Sequence, residues 1–274
     1  MVDRYAFDLS IILLTEDGAG DGPETLEAIT REMLLLVEAK CKTVRIDFSK
    51  PSQSLRDVMQ GNQWRSRNPK RIGLRDGIIS LGRFIAEKLL EGQIRPDVEA
   101  PSFVLFHFDG DHTWKERHLT KDEIVADFDD FIQRRITPAI DQALHSQQRK
   151  AGIRMDVKAV RKAALLRLRR LTPFYSIEAW LFQNTVEARR LCSLTCGKHV
   201  DELQAWEADR GILDEFDKPK GALRCIATED HLVLASSGFP AREVYAAGKS
   251  YAAAVDNLRR CRELRAALAR TNRE

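Results

Sequence analysis

The sequence predicts an α/β protein: a mostly parallel sheet flanked by helices, followed by an α-helical C-terminal elaboration. Three observations lead there. Residues 9–15 (LSIILLT) and 102–108 (SFVLFHF) are apolar almost throughout rather than alternating, which is the pattern of strands covered on both faces. Between them lie stretches with helical periodicity, and strands alternating with helices favour parallel pairing. Beyond about residue 145 the strand signal fades and only helical spacing remains.

The first strand ends at Glu16-Asp17-Gly18, and GAGDGP (18–23) is a loop by composition. Pro23 sits where a first helical turn tolerates proline, and Glu24 complements the positive helix end. Residues 25–40 follow with Leu26, Ile29, Met33, Leu36 and Val37 at helical spacing. Residues 43–48 (TVRIDF) alternate like a strand. Residues 49–71, rich in Ser, Gln, Asn and Arg, are expected to be loop, and 72–90 helix. After the strand at 102–108, residues 122–145 predict a long amphipathic helix. The α/β core is thus expected over 1–145. Helices are expected at 157–171, 177–190, 200–208 and 241–269, with loops at Thr172-Pro173 and 217–221, and the region 146–274 is expected to pack on the core. No internal repeat or low-complexity tract is present.

At 274 residues, with 43% hydrophobic and 31% charged residues, the chain can bury a substantial core under a busy surface. No apolar run approaches the ~20 residues that span a bilayer, so no membrane association is expected. The opening Met1-Val2-Asp3-Arg4 lacks the marks of a signal peptide. Five scattered cysteines, Cys41, Cys192, Cys196, Cys225 and Cys261, fit reduced thiols and a cytoplasmic location. Cys192 and Cys196 stand four apart, but no second pair follows at zinc-site spacing, so zinc is not expected. The net charge of +3 means that affinity for a polyanion has to come from local clusters.

In open parallel sheets, functional groups collect beyond the carboxyl ends of the strands. Two apolar strands end in acids, Glu16-Asp17 and Asp109-Gly110-Asp111. If they lie side by side, several carboxylates converge. Two such charges ~4 Å apart repel by about 4 kcal/mol at an effective dielectric near 20. A cation relieves that repulsion, and all-oxygen ligation points to Mg²⁺ or Mn²⁺. Either stretch alone is most simply a turn. His107, within the second strand, is a candidate for support of these acids; His112 and His118 are weaker ones. In FYSIEAWLF (174–182), aromatic residues flank Glu178, which suggests a helix pressed onto the sheet with that acid turned inward.

Basic residues cluster between Trp64 and Arg75 (Arg65, Arg67, Lys70, Arg71) and between Gln147 and Arg170 (among them Lys158, Arg161, Lys162 and Arg169). Such runs suit phosphate backbones, with Trp64 as a base-stacking residue. A solvated helix face is the simpler alternative. The chain has no GxxxxGK[ST], GxGxxG or GxSxG motif, which argues against a P-loop NTPase, a dinucleotide enzyme and an α/β-hydrolase.

Together these segments resemble a known family. ILLTEDGAGDG is similar to the glutamate motif of the TOPRIM domain, the catalytic unit of topoisomerases, primases and several nucleases. VLFHFDGDHTW is similar to its Asp-x-Asp motif. IEAW within FYSIEAWLF, and more weakly DKPKG (217–221), resemble segments of a TOPRIM-like family of small bacterial proteins, some linked to defence against phage. The resemblance implies a Rossmann-like TOPRIM core and a Mg²⁺- or Mn²⁺-dependent nuclease. It implies Asp109 and Asp111 as metal ligands and Glu16 as general acid/base or ligand; beside them, the residues' own positions make Glu178 a candidate further carboxylate and His107 and Asp17 candidates for support. The loop after Glu16 is long and acidic, so Asp17, Asp21 and Glu24 compete for the glutamate role. Two other classes stay open: a non-catalytic partner of nucleic acid or of a protein such as an ATPase, and a metal-dependent phosphatase acting on nucleotides. The oligomeric state is open.

Overall fold

A computed structural model describes residues 7–16, 21–67, 69–91, 101–110, 121–152, 154–212, 223 and 225–270. Asp17, Asp111, His112, His118 and the segment 217–221 lie outside them.

The expected fold class is the one observed. Strands β1 (Leu9–Leu14), β2 (Ile46–Ser49), β3 (Ser102–His107) and β4 (Leu168–Leu171) form one all-parallel sheet in the order β2-β1-β3-β4. Strands β1 and β3 occupy the middle, and β3 is buried at every position. Successive side chains of a strand point to opposite faces, and the two apolar layers obey that rule. Leu9, Ile11, Leu13, Phe103 and Leu105 join one layer; Ile12, Leu14, Val104 and Phe106 join the other. Unbroken apolarity is what a strand wedged between two layers needs, and each fully buried Leu, Ile or Phe contributes roughly 1.5–3 kcal/mol.

The first layer contains helix α1 (Gly22–Val37), which starts with Pro23 in its first turn and buries Leu26, Ile29, Met33 and Leu34. Beside it lie α7 (Glu178–Leu181), α8 (Thr185–Thr195), α9 (Val200–Ala208), α10 (His231–Ser236), α11 (Ala241–Ala246), α12 (Lys249–Arg259) and α13 (Arg262–Leu268). The second layer contains α2 (Gln53–Met59), α3 (Ile72–Leu90), α4 (Lys121–Phe131), α5 (Thr137–Ala151) and α6 (Val157–Leu166). A π-helical turn, Ile132–Ile136, joins α4 to α5. There Gly82 of α3 meets Arg135 so closely that a Cβ would stand 3.1 Å from the Arg135 carbonyl oxygen and 2.9 Å from its Cβ. No helix among the described residues is long and apolar enough to cross a membrane.

Several expectations need correction. The strand β4 lies in a segment expected to be helical to residue 171, so residues beyond 145 contribute to the sheet itself. An edge strand of four residues with two arginines in its middle carries no apolar run to announce it. The 49–71 loop contains α2 and a 3₁₀ turn, Gln60–Arg65; Leu55, Val58, Met59 and Trp64 supply its buried face between polar neighbours. The helix expected over 177–190 breaks at Asn184. Its side chain caps α8 by accepting from Glu187 N–H, while its amide donates to the carbonyls of Leu234 and Ser237 at 2.9 Å. The 241–269 helix is three helices, interrupted by Gly248 at φ +80° and by Cys261 in extended geometry.

Candidate functional site

The strand order creates the site's location. From β1 the chain moves outward to β2 through α1, whereas β3 is followed by α4 and α5 on the opposite face of the sheet. The connections leaving β1 and β3 therefore diverge, and in open α/β sheets such a reversal of strand order opens a crevice at the carboxyl ends. The register pairs Leu14 with Phe106, so Glu16 and Asp109 emerge at the same edge.

These two acids meet there through the backbone. Glu16 Oε1 accepts a close hydrogen bond from the Asp109 N–H. Asp109 Oδ1 accepts from the Ile177 N–H at 3.1 Å, immediately before α7, and its side chain is 13% exposed. The strand end of β1, the strand end of β3 and the IEAW segment are thus tied in one chain of contacts. Glu178, one residue beyond that last contact, is 6% exposed, as expected for an inward-facing acid. The whole segment from Ile177 to Phe182 is buried, with the Trp180 indole N–H donating to Ser250 Oγ at 2.8 Å.

His107 lies beneath these acids. It is fully buried, its Nδ1 stands 3.0 Å from Thr15 Oγ1, and its Nε2 stands 3.6 Å from Asp109 Oδ1. Burial holds the imidazole down at about 3, so it is neutral at physiological pH and the Asp109 contact is not an ion pair. A neutral ring protonated on Nε2 accepts from the Thr15 hydroxyl and presents its N–H toward Asp109. At 3.6 Å that contact orients without forming a full hydrogen bond. Thr15 is the member of this group that the sequence did not single out; a threonine as the last buried residue of an apolar strand was the available signal.

The nucleic-acid candidates divide. The stacking role expected of Trp64 is corrected: its ring is fully buried, with ring centroids of Phe106, Phe108 and Phe131 at 5.0, 5.3 and 5.5 Å. No base can reach it. Arg65 donates to Asp127 with only 10% of its side chain exposed, and that contact consumes its charge. Arg67 faces Asp127 and Asp130 while 65% exposed, and Arg161 pairs with Asp141 at 2.7 Å. Arg169 lies half-buried on edge strand β4, whereas Arg71, Lys158 and Lys162 are exposed. The basic run 147–170 is therefore split between α5, α6 and β4 rather than forming one continuous stripe. A separate groove of about 540 Å³, between 207–212 and 243–249, is lined by none of these residues.

Comparison with protein-family models, with curated proteins and with solved structures finds no match to this chain.

Proposed function

We propose that the carboxyl edge of β1 and β3 is the active site of a Mg²⁺- or Mn²⁺-dependent phosphodiesterase acting on nucleic acid. The observation that carries this is the meeting of Glu16 and Asp109 where the strand order reverses. Carboxylate oxygens are the donors a hard cation takes, and His107, beside Asp109, is buried and neutral. Asp109 would hold the cation, with Asp111 joining by its place in the Asp-x-Asp motif; Glu16 and Glu178 do not stand within 4.8 Å of Asp109 as a ready three-ligand group among the described residues and would have to close around the ion. When bound, the metal supplies charge neutralisation at a scissile phosphate and acidification of a water. Asp109 is held in place by the Ile177 N–H, and His107, fixed by Thr15, restrains its other approach. Glu16 would either complete the cation's shell or take a proton from the attacking water. Exposed Lys158, Lys162 and Arg71 are the remaining candidates to contact the backbone of the substrate.

The test is cleavage of labelled single- and double-stranded DNA and RNA with Mg²⁺ or Mn²⁺. Glu16→Gln and Asp109→Asn keep an acceptor for each N–H and so separate chemistry from folding. Metal-dependent cleavage that falls at least about 100-fold in both variants supports the proposal; equal cleavage by the variants, or none by the parent with either metal, ends it. One observation favours a second reading. Both carboxylates already serve as backbone acceptors that tie β3 to β1 and to α7, which is also what a non-catalytic binding partner would retain. Calorimetry that detects no Mg²⁺ or Mn²⁺ binding would favour that reading.

A further inference from the structure

Away from the carboxylate edge, the fold brings a distant third thiol, Cys225, to the pair Cys192 and Cys196. Cys192 lies in the last turn of α8, and Cys196 follows one turn later as its C-cap. The helix closes with Cys196 N–H and Gly197 N–H both donating to the Cys192 carbonyl, Gly197 adopting φ +66°. That left-handed closure ends α8 sharply and leaves Cys196 at the exposed rim. Cys225 comes from a separate turn, closed by Ile226 N–H donating to the Leu223 carbonyl. The three sulfurs lie within 4.8 Å of one another, with Cys192 Sγ and Cys225 Sγ in contact at 2.7 Å. Cys192 is fully buried, Cys225 is 4% exposed and Cys196 is exposed.

From this geometry we infer that Cys192, Cys196 and Cys225 form a zinc site that pins the end of α8 to the turn carrying Leu223, Cys225 and Ile226. A tetrahedral zinc–thiolate centre has Zn–S distances of about 2.3 Å, which places its sulfurs about 3.8 Å apart. A triangle within 4.8 Å reaches that arrangement with side-chain adjustment alone. Soft thiolate ligands select zinc over the hard cations proposed at the carboxylate edge. Three thiolates leave a fourth position for water or an exogenous ligand. Two unrelated segments held by one ion is the usual arrangement of a structural site, in which metal affinity is folding free energy. Cys41 and Cys261 take no part: neither belongs to the triangle, and Cys261 Sγ contacts the Leu166 carbonyl at 3.3 Å instead.

The experiment uses the full chain, purified and reduced under chelation, then titrated with Co²⁺ and back-titrated with Zn²⁺. The expected result is one equivalent of Co²⁺ with a thiolate-to-cobalt charge-transfer band and strong tetrahedral d–d absorption, displaced by Zn²⁺. Loss of a ligand costs no less than loss of an outer-shell partner. Cys196→Ser, at the exposed rim, should therefore weaken binding by at least about 10–100-fold while the fold is retained. Cys261→Ser should leave the cobalt spectrum unchanged. Absence of a charge-transfer band in the reduced chain overturns the inference. So does a cobalt spectrum that survives Cys196→Ser, or a reduced chain that forms a Cys192–Cys225 disulfide in air and takes up no metal.

Discussion

Burying His107 as a neutral base makes a quantitative claim about stability. The imidazole's ordinary value is 6.5, and burial lowers it to about 3 in the folded chain. A group whose value is depressed by folding contributes stability that is present above its unfolded value and is lost as pH falls toward the folded one. Here that window runs from 6.5 down to about 3, because the unfolded chain takes up a proton that the folded chain refuses. Between pH 7 and pH 5 the cost is RT ln(1 + 10^1.5) less the small part already present at pH 7, or about 2 kcal/mol. The comparison is His107→Gln, which keeps an acceptor for the Thr15 hydroxyl but cannot titrate. The other five histidines are common to both proteins and cancel. Urea unfolding at pH 7 and pH 5, in chelator-containing buffer, should show the parent losing about 2 kcal/mol more than the variant. Parallel losses, within about 0.5 kcal/mol, would refute the claim that His107 is buried in a neutral state.

Two other perturbations probe the same architecture. Trp64→Ala should cost about 3–5 kcal/mol in denaturant unfolding, because it empties the centre of an aromatic cluster. With conservative Trp64→Phe, affinity for oligonucleotides measured by anisotropy should not change; a clear drop would return Trp64 to a binding role. Asn184→Ala removes a helix cap and leaves the Leu234 and Ser237 carbonyls without their amide donor. A loss of about 2–4 kcal/mol is expected, read as a fall in thermal midpoint; a change below about 0.5 kcal/mol would mean that water replaces those contacts at no cost.

The parts of the molecule that were legible are those whose burial is complete. Strands β1 and β3 are covered on both faces, so apolar residues fill nearly every position and the run itself is the signal. Helices α1 and α3 carry regular apolar spacing for the same reason. Glu16 and Asp109 could be named because each follows such a strand directly. Elsewhere the pattern was too short or too diluted. The LRRL strand became visible only through its pairing with β3, and α2 through the three apolar residues it turns inward. The helical spacing over 241–269 ran through two breaks because apolar residues resume in phase on either side of Gly248 and Cys261.

The amino-acid sequence by itself determined the class of fold and the acids at its carboxyl edge. Both follow from local rules: apolar runs need two covering layers, and a polar residue ends a buried strand. Only the tertiary structure decided which groups share a point in space. It seated Trp64 in the core, engaged Arg65 and Arg161 with acids from other helices, set neutral His107 beneath Asp109, and brought Cys225 to Cys192 and Cys196. Each of those outcomes depends on which elements become neighbours. Neighbourhood is set by the packing of two layers on a sheet, and no local pattern along the chain records it.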